Sequence, residues 1–428
     1  MGNRKLLFAG LMLIAFAAAG YKTFNRAPPS TFAQPAFKTA SSPDQPPGVV
    51  QAPVLVAQFV SSSPGQAVHA PSVVELKNGN LRAVWFSGSR EGAGDVTIQT
   101  AVMNAATGQW SGEATLFDRQ KLQRGLWRYV KKIGNPVIAR TPDGSLHVWM
   151  VNVSLGGWAG SSITWARSVD EGETWSAPRR LVTSPFLNIS TLVKGAPLAM
   201  ADGSVSLPVY HEFVTKFGEV LHISAQGQVT DKTRIPGSRT SLQPVLLAAS
   251  PLAAQAYMRA GQGGRVVMSR TADAGHTWAQ ARAIDLPNPD SAIAGVVSGA
   301  GDNWLALNPT AAGRQSLALF KASRSGSVDT ARTLYVEGSG TAFQVGNSLS
   351  IADHSALLRR ELKTQGASDA DIQAYVASAA RQLCGPAACV QEFSYPFLLQ
   401  TRDGSMHLVY TWHRSRIKHI RIEHAALD

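Results

Sequence analysis

Beyond residue 53 the chain alternates apolar and polar positions in short runs, and the runs come in pairs joined by a turn. Ser72 to Trp85 turns at Asn78-Gly79, Val137 to Trp149 at Asp143-Gly144, Leu198 to Tyr210 at Asp202-Gly203, and Phe397 to Tyr410 at Asp403-Gly404. Val245 to Met258 and Val296 to Leu307 repeat the pattern with turns near Pro251 and Gly301. Period-two alternation predicts strands, and Asn-Gly or Asp-Gly between two of them predicts a tight hairpin. A proline opens most units: Pro71, Pro136, Pro197, Pro244 and Pro396. The turns recur every 45 to 65 residues or so, except for a last gap of about 100. That excess falls in Asp353–Val390, where Leu357–Leu362 and Ile372–Leu383 have helical spacing and Ser368 to Asp371 resembles a capping box. A unit of this size cannot bury its faces alone. Six of them predict an all-β fold, a six-bladed β-propeller of four-stranded blades with a small helical insertion, over a single-sheet solenoid.

The first residues follow a different pattern. Arg4 and Lys5 precede an unbroken apolar run, Leu6 to Ala19, which ends in small residues. This fits a cleaved export signal. The run is shorter than the roughly 20 residues a membrane span needs, yet Lys22 and Arg26 follow it, which fits a retained anchor; residues 1–26 are read as one or the other. Residues 27–52 are rich in proline, serine and glutamine and are read as a linker. The expected location is therefore outside the cytoplasm, periplasmic or secreted, with an N-terminal tether to the inner membrane as the alternative to release. In an oxidising compartment Cys384 and Cys389, the only two cysteines, are placed to form a local disulfide; two free thiols are the alternative.

Charge narrows the partners. Forty Lys and Arg against 28 Asp and Glu give a net charge of +12, which favours an acidic partner: nucleic acid, an anionic surface or a carboxylated glycan. No phosphate-cradling glycine loop, zinc-ligand spacing or serine-hydrolase elbow is present, so no metal or cofactor is expected. The alternating basic run Arg414 to Arg421 reads as a solvated strand edge, and nucleic acid is not expected.

The second hairpin of each unit carries its own signal. Ser168-Val-Asp170-Glu-Gly172-Glu-Thr174-Trp175 and Thr271-Ala-Asp273-Ala-Gly275-His-Thr277-Trp278 are two copies of one motif, and Asn104 to Trp110 is a worn third. The Asp accepts turn N–H groups, the Gly takes a positive φ and the Trp plugs between strands. This motif resembles the Asp box, or BNR repeat, of the sialidase (neuraminidase) superfamily. Ser89-Arg90-Glu91-Gly92-Ala93-Gly94-Asp95, Glu392-Phe-Ser-Tyr395-Pro396 and Trp412-His-Arg414 extend the resemblance over roughly residues 53–428, closest to bacterial sialidase-like proteins.

Strand parity places the hairpin glycines and Asp boxes at one mouth of the propeller and the strand two-to-three turns and blade starts at the other. The second mouth collects the polar residues, including His69, Arg90, Asn135, Lys194, Glu212, Gln243, Arg259, Arg314, Tyr395 and Arg414, as expected of a site carried on loops. The resemblance implies an arginine triad for a substrate carboxylate, a tyrosine nucleophile activated by a glutamate, and an acid/base aspartate. It maps triad arginines onto Arg259 and Arg314, an additional arginine onto Arg90 and the nucleophile onto Tyr395; Glu91 or Asp95 takes the acid/base place. Two positions depart from the pattern. His69 stands where the first triad arginine is expected, and Gln243 lies where the activating glutamate is expected, leaving Glu212 or Glu392 to stand in. The expectation is an exported exo-sialidase-like glycoside hydrolase that cleaves a terminal acidic sugar with retention of configuration. The alternatives are a hydrolase of another acidic exopolysaccharide and a non-catalytic propeller that binds glycans or proteins. A tyrosine nucleophile departs from the usual two-carboxylate scheme.

Overall fold

A computed structural model describes residues 2–24, 30–34, 55–184, 188–261, 263–323, 327–338 and 348–423. The chain divides into two units, Met1–Ser30 and Thr31–Asp428. The first carries one helix, Gly2–Phe24, on which Leu6, Leu7, Leu13, Ile14 and Phe16 are exposed. No helix among the described residues is long and apolar enough to cross a membrane.

Among the described residues the second unit holds six antiparallel blade sheets in chain order, and a two-stranded sheet in which Ser348–Ser350 pairs with Ala388–Val390. Blade 1 runs from Ala67 to Phe117, blade 2 from Lys132 to Arg180, blade 3 from Leu192 to Arg234, blade 4 from Ser241 to Asn288, and blade 5 from Ala294 to Glu337. Blade 6 takes three strands from Phe393 to Ile422 and its fourth from the other end of the chain. That fourth strand, Leu55–Phe59, pairs with Arg416–Ile422 in the register Leu55↔Ile422 to Phe59↔Lys418. Joining the two ends of the repeat closes the ring and covers a sheet edge.

The predicted turns form for the predicted reason. Gly79, Gly144, Gly203, Gly301 and Gly404 have φ between +81° and +86°, a region where a side chain is strained. In the Asp boxes, Asp170 and Asp273 each accept the N–H four residues on at 2.9 Å. Alternating strand residues then fill the spaces between blades, with Trp85, Trp149, Trp412, Tyr257 and Tyr410 among the largest fully buried side chains. The insertion forms two helices, Ile351–Thr364 and Asp369–Leu383, capped by Ser350 and Ser368. Cys384 and Cys389, just beyond the second helix, are disulfide-bonded.

Two expectations fail. Within the segment read as a linker, Thr31 to Gln34 are docked on the propeller: Phe32 is buried, bridges Met200 and donates its N–H to the Pro251 carbonyl at 2.7 Å. One aromatic side chain with a ready pocket outweighs the disorder-promoting composition around it; most of the rest of 27–52 lies outside the described residues. The basic run 414–421 is not a solvated edge. Arg416, Lys418 and His419 are all buried, because the closing strand covers one side and the insertion contributes Tyr375, whose ring lies 4.3 Å from the Arg416 guanidinium, and Glu361, which pairs with Lys418.

Candidate active site

The innermost strands of blades 1, 2, 4 and 6 share one local irregularity. Each loses register just before its proline, between His69 and Ser72, Gly134 and Val137, Leu242 and Val245, and Ser394 and Phe397. The residue preceding the proline is left-handed in every case: Ala70 at φ 53°, Asn135 at 44°, Gln243 at 53° and Tyr395 at 52°. Proline cannot donate to the ladder, and a bulge at that point absorbs the lost bond while re-aiming the side chain before it. A non-glycine residue in this region, and before proline, is strained by about 1–3 kcal/mol. The fold tolerates that strain three times to gather Asn135, Gln243 and Tyr395 around one centre.

Hydrogen bonds knit the three together. Gln243 Nε2 donates to the Tyr395 hydroxyl at 3.2 Å and lies 3.4 Å from the Tyr210 hydroxyl. Asn135 Nδ2 donates to the same Tyr210 oxygen at 3.2 Å. Arg259, on the second strand of blade 4, donates from Nη1 to Gln243 Oε1 at 2.9 Å and from Nε to Asp290 at 2.7 Å.

Cations surround this centre. Glu392 is buried between two guanidinium groups, accepting from Arg314 at 3.2 Å and from Arg414 at 3.0 Å. Burial pushes its carboxyl up, but Arg414 and Arg314 outweigh burial and hold it below its ordinary value. Arg414 also reaches Glu91 at 3.1 Å. Lys194 lies where the innermost strand of blade 3 is interrupted between Leu192–Val193 and Leu198–Ala199. Its ammonium is over the Tyr395 ring at 5.7 Å, donates to the Pro396 carbonyl at 3.1 Å, and is lowered by burial to about 7. His69 is buried against Tyr395, ring centroids 4.2 Å apart, and neither ring nitrogen has a hydrogen-bond partner among the described residues. Burial, then the charges of Arg414, Arg314, Lys194 and Arg259, keep it neutral.

Most of the residues singled out in the sequence therefore meet: His69, Glu91, Gln243, Arg259, Arg314 and Tyr395. Glu212 lies near enough for the charges of Arg259, Asp290 and Glu91 to act on it, and burial raises its carboxyl. Arg90 and Asp95 do not join them. Arg90 is exposed, and Asp95 folds back to accept the N–H and hydroxyl of Ser89 at 3.0 Å, clamping its own turn. Glu392 is occupied by Arg314 and Arg414, so the group touching the Tyr395 hydroxyl is Gln243. Sequence reasoning missed the role of Arg414. The signal was its place in the strand two-to-three turn of blade 6, where Val68 N–H donates to the Arg414 carbonyl at 3.0 Å and sets that turn beside His69.

An adjoining cavity of about 320 Å³ is lined by Arg314, Gln315, Ser348 and Glu392 among others. A cavity of about 520 Å³ at the opposite mouth is lined mainly by aliphatic side chains such as Val73, Ile138, Leu246 and Leu399. The titratable cluster lies at the former mouth.

Fold and site together define a six-bladed propeller of the sialidase-like type, with buried and half-buried arginines around a strained tyrosine. Residues 79–408 match the family described as BNR repeat-like domain, and the chain belongs to that family. Among solved structures it is similar to the Hadza microbial sialidase Hz136, at 15% identity and TM-score 0.60, over 83% of this chain and 65% of that one. It is likewise similar to the intramolecular trans-sialidase from Ruminococcus gnavus, at 11% identity and TM-score 0.60, over 86% of this chain and 96% of that one. A Dyadobacter fermentans protein of unknown function matches at 11% identity and TM-score 0.60, over 86% and 99%. No curated protein matches the chain in sequence.

Proposed function

We propose that the protein is an exported glycoside hydrolase of the sialidase type that removes a terminal acidic sugar from a glycan, with Tyr395 as nucleophile. The observation that carries this reading is that Arg259, Arg314 and Arg414 lie around His69, whose ring packs on Tyr395, with Arg259 bonded to Gln243 and the other two to Glu392. Guanidinium forks suit a carboxylate, and Arg414 supplies the third one that His69 does not.

Substrate carboxylate bound at Arg414 competes with Glu91 for the guanidinium. That competition frees Glu91 from the ion pair so that it can face the leaving oxygen. The phenol proton passes to Glu212 during the attack, while the Gln243 N–H holds the Tyr395 oxygen in place. The Tyr395 oxygen bonds to the anomeric carbon as the glycosidic C–O bond breaks and Glu91 protonates the leaving oxygen. Water then adds at the anomeric carbon, Glu91 takes its proton, and the tyrosine–sugar bond breaks as Glu212 returns the proton to the Tyr395 oxygen, giving net retention. A neutral nucleophile avoids repulsion with an anionic substrate. Residues 1–26 act as export signal or anchor, and the Cys384–Cys389 disulfide supports an oxidising compartment.

His69 in place of an arginine favours a second reading of the sugar, a uronic acid instead of sialic acid. Gln243 in place of a carboxylate favours a propeller that binds acidic glycans without cleaving them. Fluorogenic glycosides of sialic and uronic acids, given to wild type and Tyr395→Phe, separate these. The proposal expects turnover of one acidic glycoside that is lost in Tyr395→Phe while binding is kept. Binding without turnover by wild type overturns it.

A further inference from the structure

On the same mouth, the connection from blade 1 to blade 2 builds a surface that folding does not use. The helix Arg119–Leu126 ends at Trp127, which is left-handed at φ 49° and ψ 42° and donates its N–H to the Gln123 carbonyl. Helix ends in that conformation favour glycine, and a bulky residue there is strained. Packing returns nothing for it, because Trp127 is 96% exposed. Tyr129 and Leu155 beside it are exposed as well. The two segments are tied together, Lys131 N–H to the Val153 carbonyl at 2.7 Å and Arg128 Nε to Ser154 Oγ at 2.6 Å, so the aromatic groups stand on a fixed base.

The charge around them is one-sided. From Arg119 to Arg140 the chain carries seven cationic side chains and no acidic one. Arg119 is engaged with the Val130 and Gly94 carbonyls and Arg140 with Glu171, but Arg128, Lys131 and Lys132 have no carboxylate partner among the described residues. This surface is continuous with the pocket. Lys132 lies 5.5 Å over the Trp158 ring. Trp158 in turn covers Gly134, where an added Cβ would come within 3.2 Å of the indole. Gly134 precedes Asn135, and Lys132 also packs on Gly92, next to Glu91.

We propose that this shelf, from Trp158 and Lys132 to Tyr129, Lys131, Arg128 and Trp127, holds the sugars that follow the terminal one, and that these sugars are themselves acidic. Flat aromatic faces take the apolar faces of sugar rings, and the interleaved cations pair with a carboxylate on successive rings. The substrate class is then a polyanionic polysaccharide, not a neutral glycan with one acidic end. Exposed aromatics with lysines also suit an anionic bilayer, but a bilayer seated on Trp127 would face the mouth of the pocket, whereas a polymer runs from the pocket onto the shelf. The proposal rests on the hydrolase reading only for what occupies the pocket.

The test is calorimetric titration of the full chain with a hexamer of α-linked sialic acid and a hexamer of galacturonic acid. A neutral glucose hexamer and phosphatidylglycerol vesicles are titrated alongside. The double variant Trp127→Ala, Lys131→Gln touches no pocket residue, and its melting temperature checks its fold. Expected is a fall of about tenfold or more in affinity for an acidic hexamer, a shallower salt dependence, and unchanged turnover of single-sugar glycosides. Wild-type affinity retained in the variant, a wild-type preference for the neutral hexamer, or a loss confined to the vesicles overturns the proposal. If no acidic glycoside is turned over but the variant still loses the hexamer, the shelf stands and the hydrolase reading alone falls.

Discussion

Glu392 is the counter-ion that lets two guanidinium groups share one pocket, and replacing it tests that arrangement. It is buried, with Arg314 at 3.2 Å and Arg414 at 3.0 Å. Glu392→Gln keeps the shape and the bond with Ser394 Oγ but leaves two cations facing each other. Removing one partner of a buried ion pair typically costs about 3–5 kcal/mol. Unfolding entropy near 2 cal/mol/K per residue turns that loss, for the Thr31–Asp428 unit, into a fall of about 4–6 °C in melting temperature. The pH dependence carries the sharper test. The folded-state value of Glu392 lies below its ordinary value of 4.5, so its stabilisation is fully present above that value and disappears as pH falls through the lower, folded value. The assay is thermal melting of wild type and Glu392→Gln from pH 7 to pH 3, because subtraction removes the other carboxylates. The gap between the two proteins should be constant above about pH 5 and shrink below it. A gap that stays the same down to pH 3 would refute the reasoning, since a group that does not titrate cannot be the ionised bridge.

Other consequences follow from single residues. Lys194 is lowered to about 7 by burial from an ordinary 10.5, so below pH 7 the folded protein must carry a charge it disfavours, and between 7 and 10.5 stability rises with pH. Lys194→Met should therefore stabilise most below pH 7 and least near pH 10.5, as urea unfolding across that range will show. Gln243→Glu places a carboxylate beside the Tyr395 hydroxyl and Arg259. It should raise kcat on the best acidic glycoside by about tenfold, a small part of what a positioned base can supply, and an unchanged kcat would count against Tyr395 as nucleophile. Cys384→Ser opens a bridge of sequence separation 5, for which chain entropy gives about 2 kcal/mol. Hydrogen exchange should rise at the C-terminal end of Asp369–Leu383 and not in the blades.

How much was legible in the sequence depended on how local the signal is. Asn78-Gly79, Asp143-Gly144 and the two Asp boxes fold into turns that a few neighbouring residues determine, and they show the propeller directly. Ser368 and the apolar spacing after it likewise mark the inserted helix. The closing strand Leu55–Phe59 is not readable this way: five residues of ordinary β character pair with a strand at the other end of the chain. Phe32 is a similar case, an aromatic side chain in a polar stretch whose pocket belongs to blades 3 and 4. The run from Arg414 to Arg421 misled because charge is read from sequence and burial is not. Lys418 and Arg416 are buried beside Glu337, Glu361 and Tyr375, partners contributed by the insertion and the strand leading into it. Tyr395 was singled out by the family resemblance of Glu392-Phe-Ser-Tyr395-Pro396. That its backbone is left-handed, and that Asn135 and Gln243 share the same bulge, required the register of each inner strand.

The central claim, that Tyr395 attacks the anomeric carbon of an acidic sugar, is tested most directly by trapping the intermediate. The full chain would be incubated with a fluorinated acidic sugar that forms the glycosyl adduct quickly and loses it slowly, and the peptides then sequenced by mass spectrometry. The account predicts one sugar per chain on Tyr395, absent in Tyr395→Phe. An adduct on Glu91 or Glu212, or turnover of the sugar with no adduct on Tyr395, would contradict it.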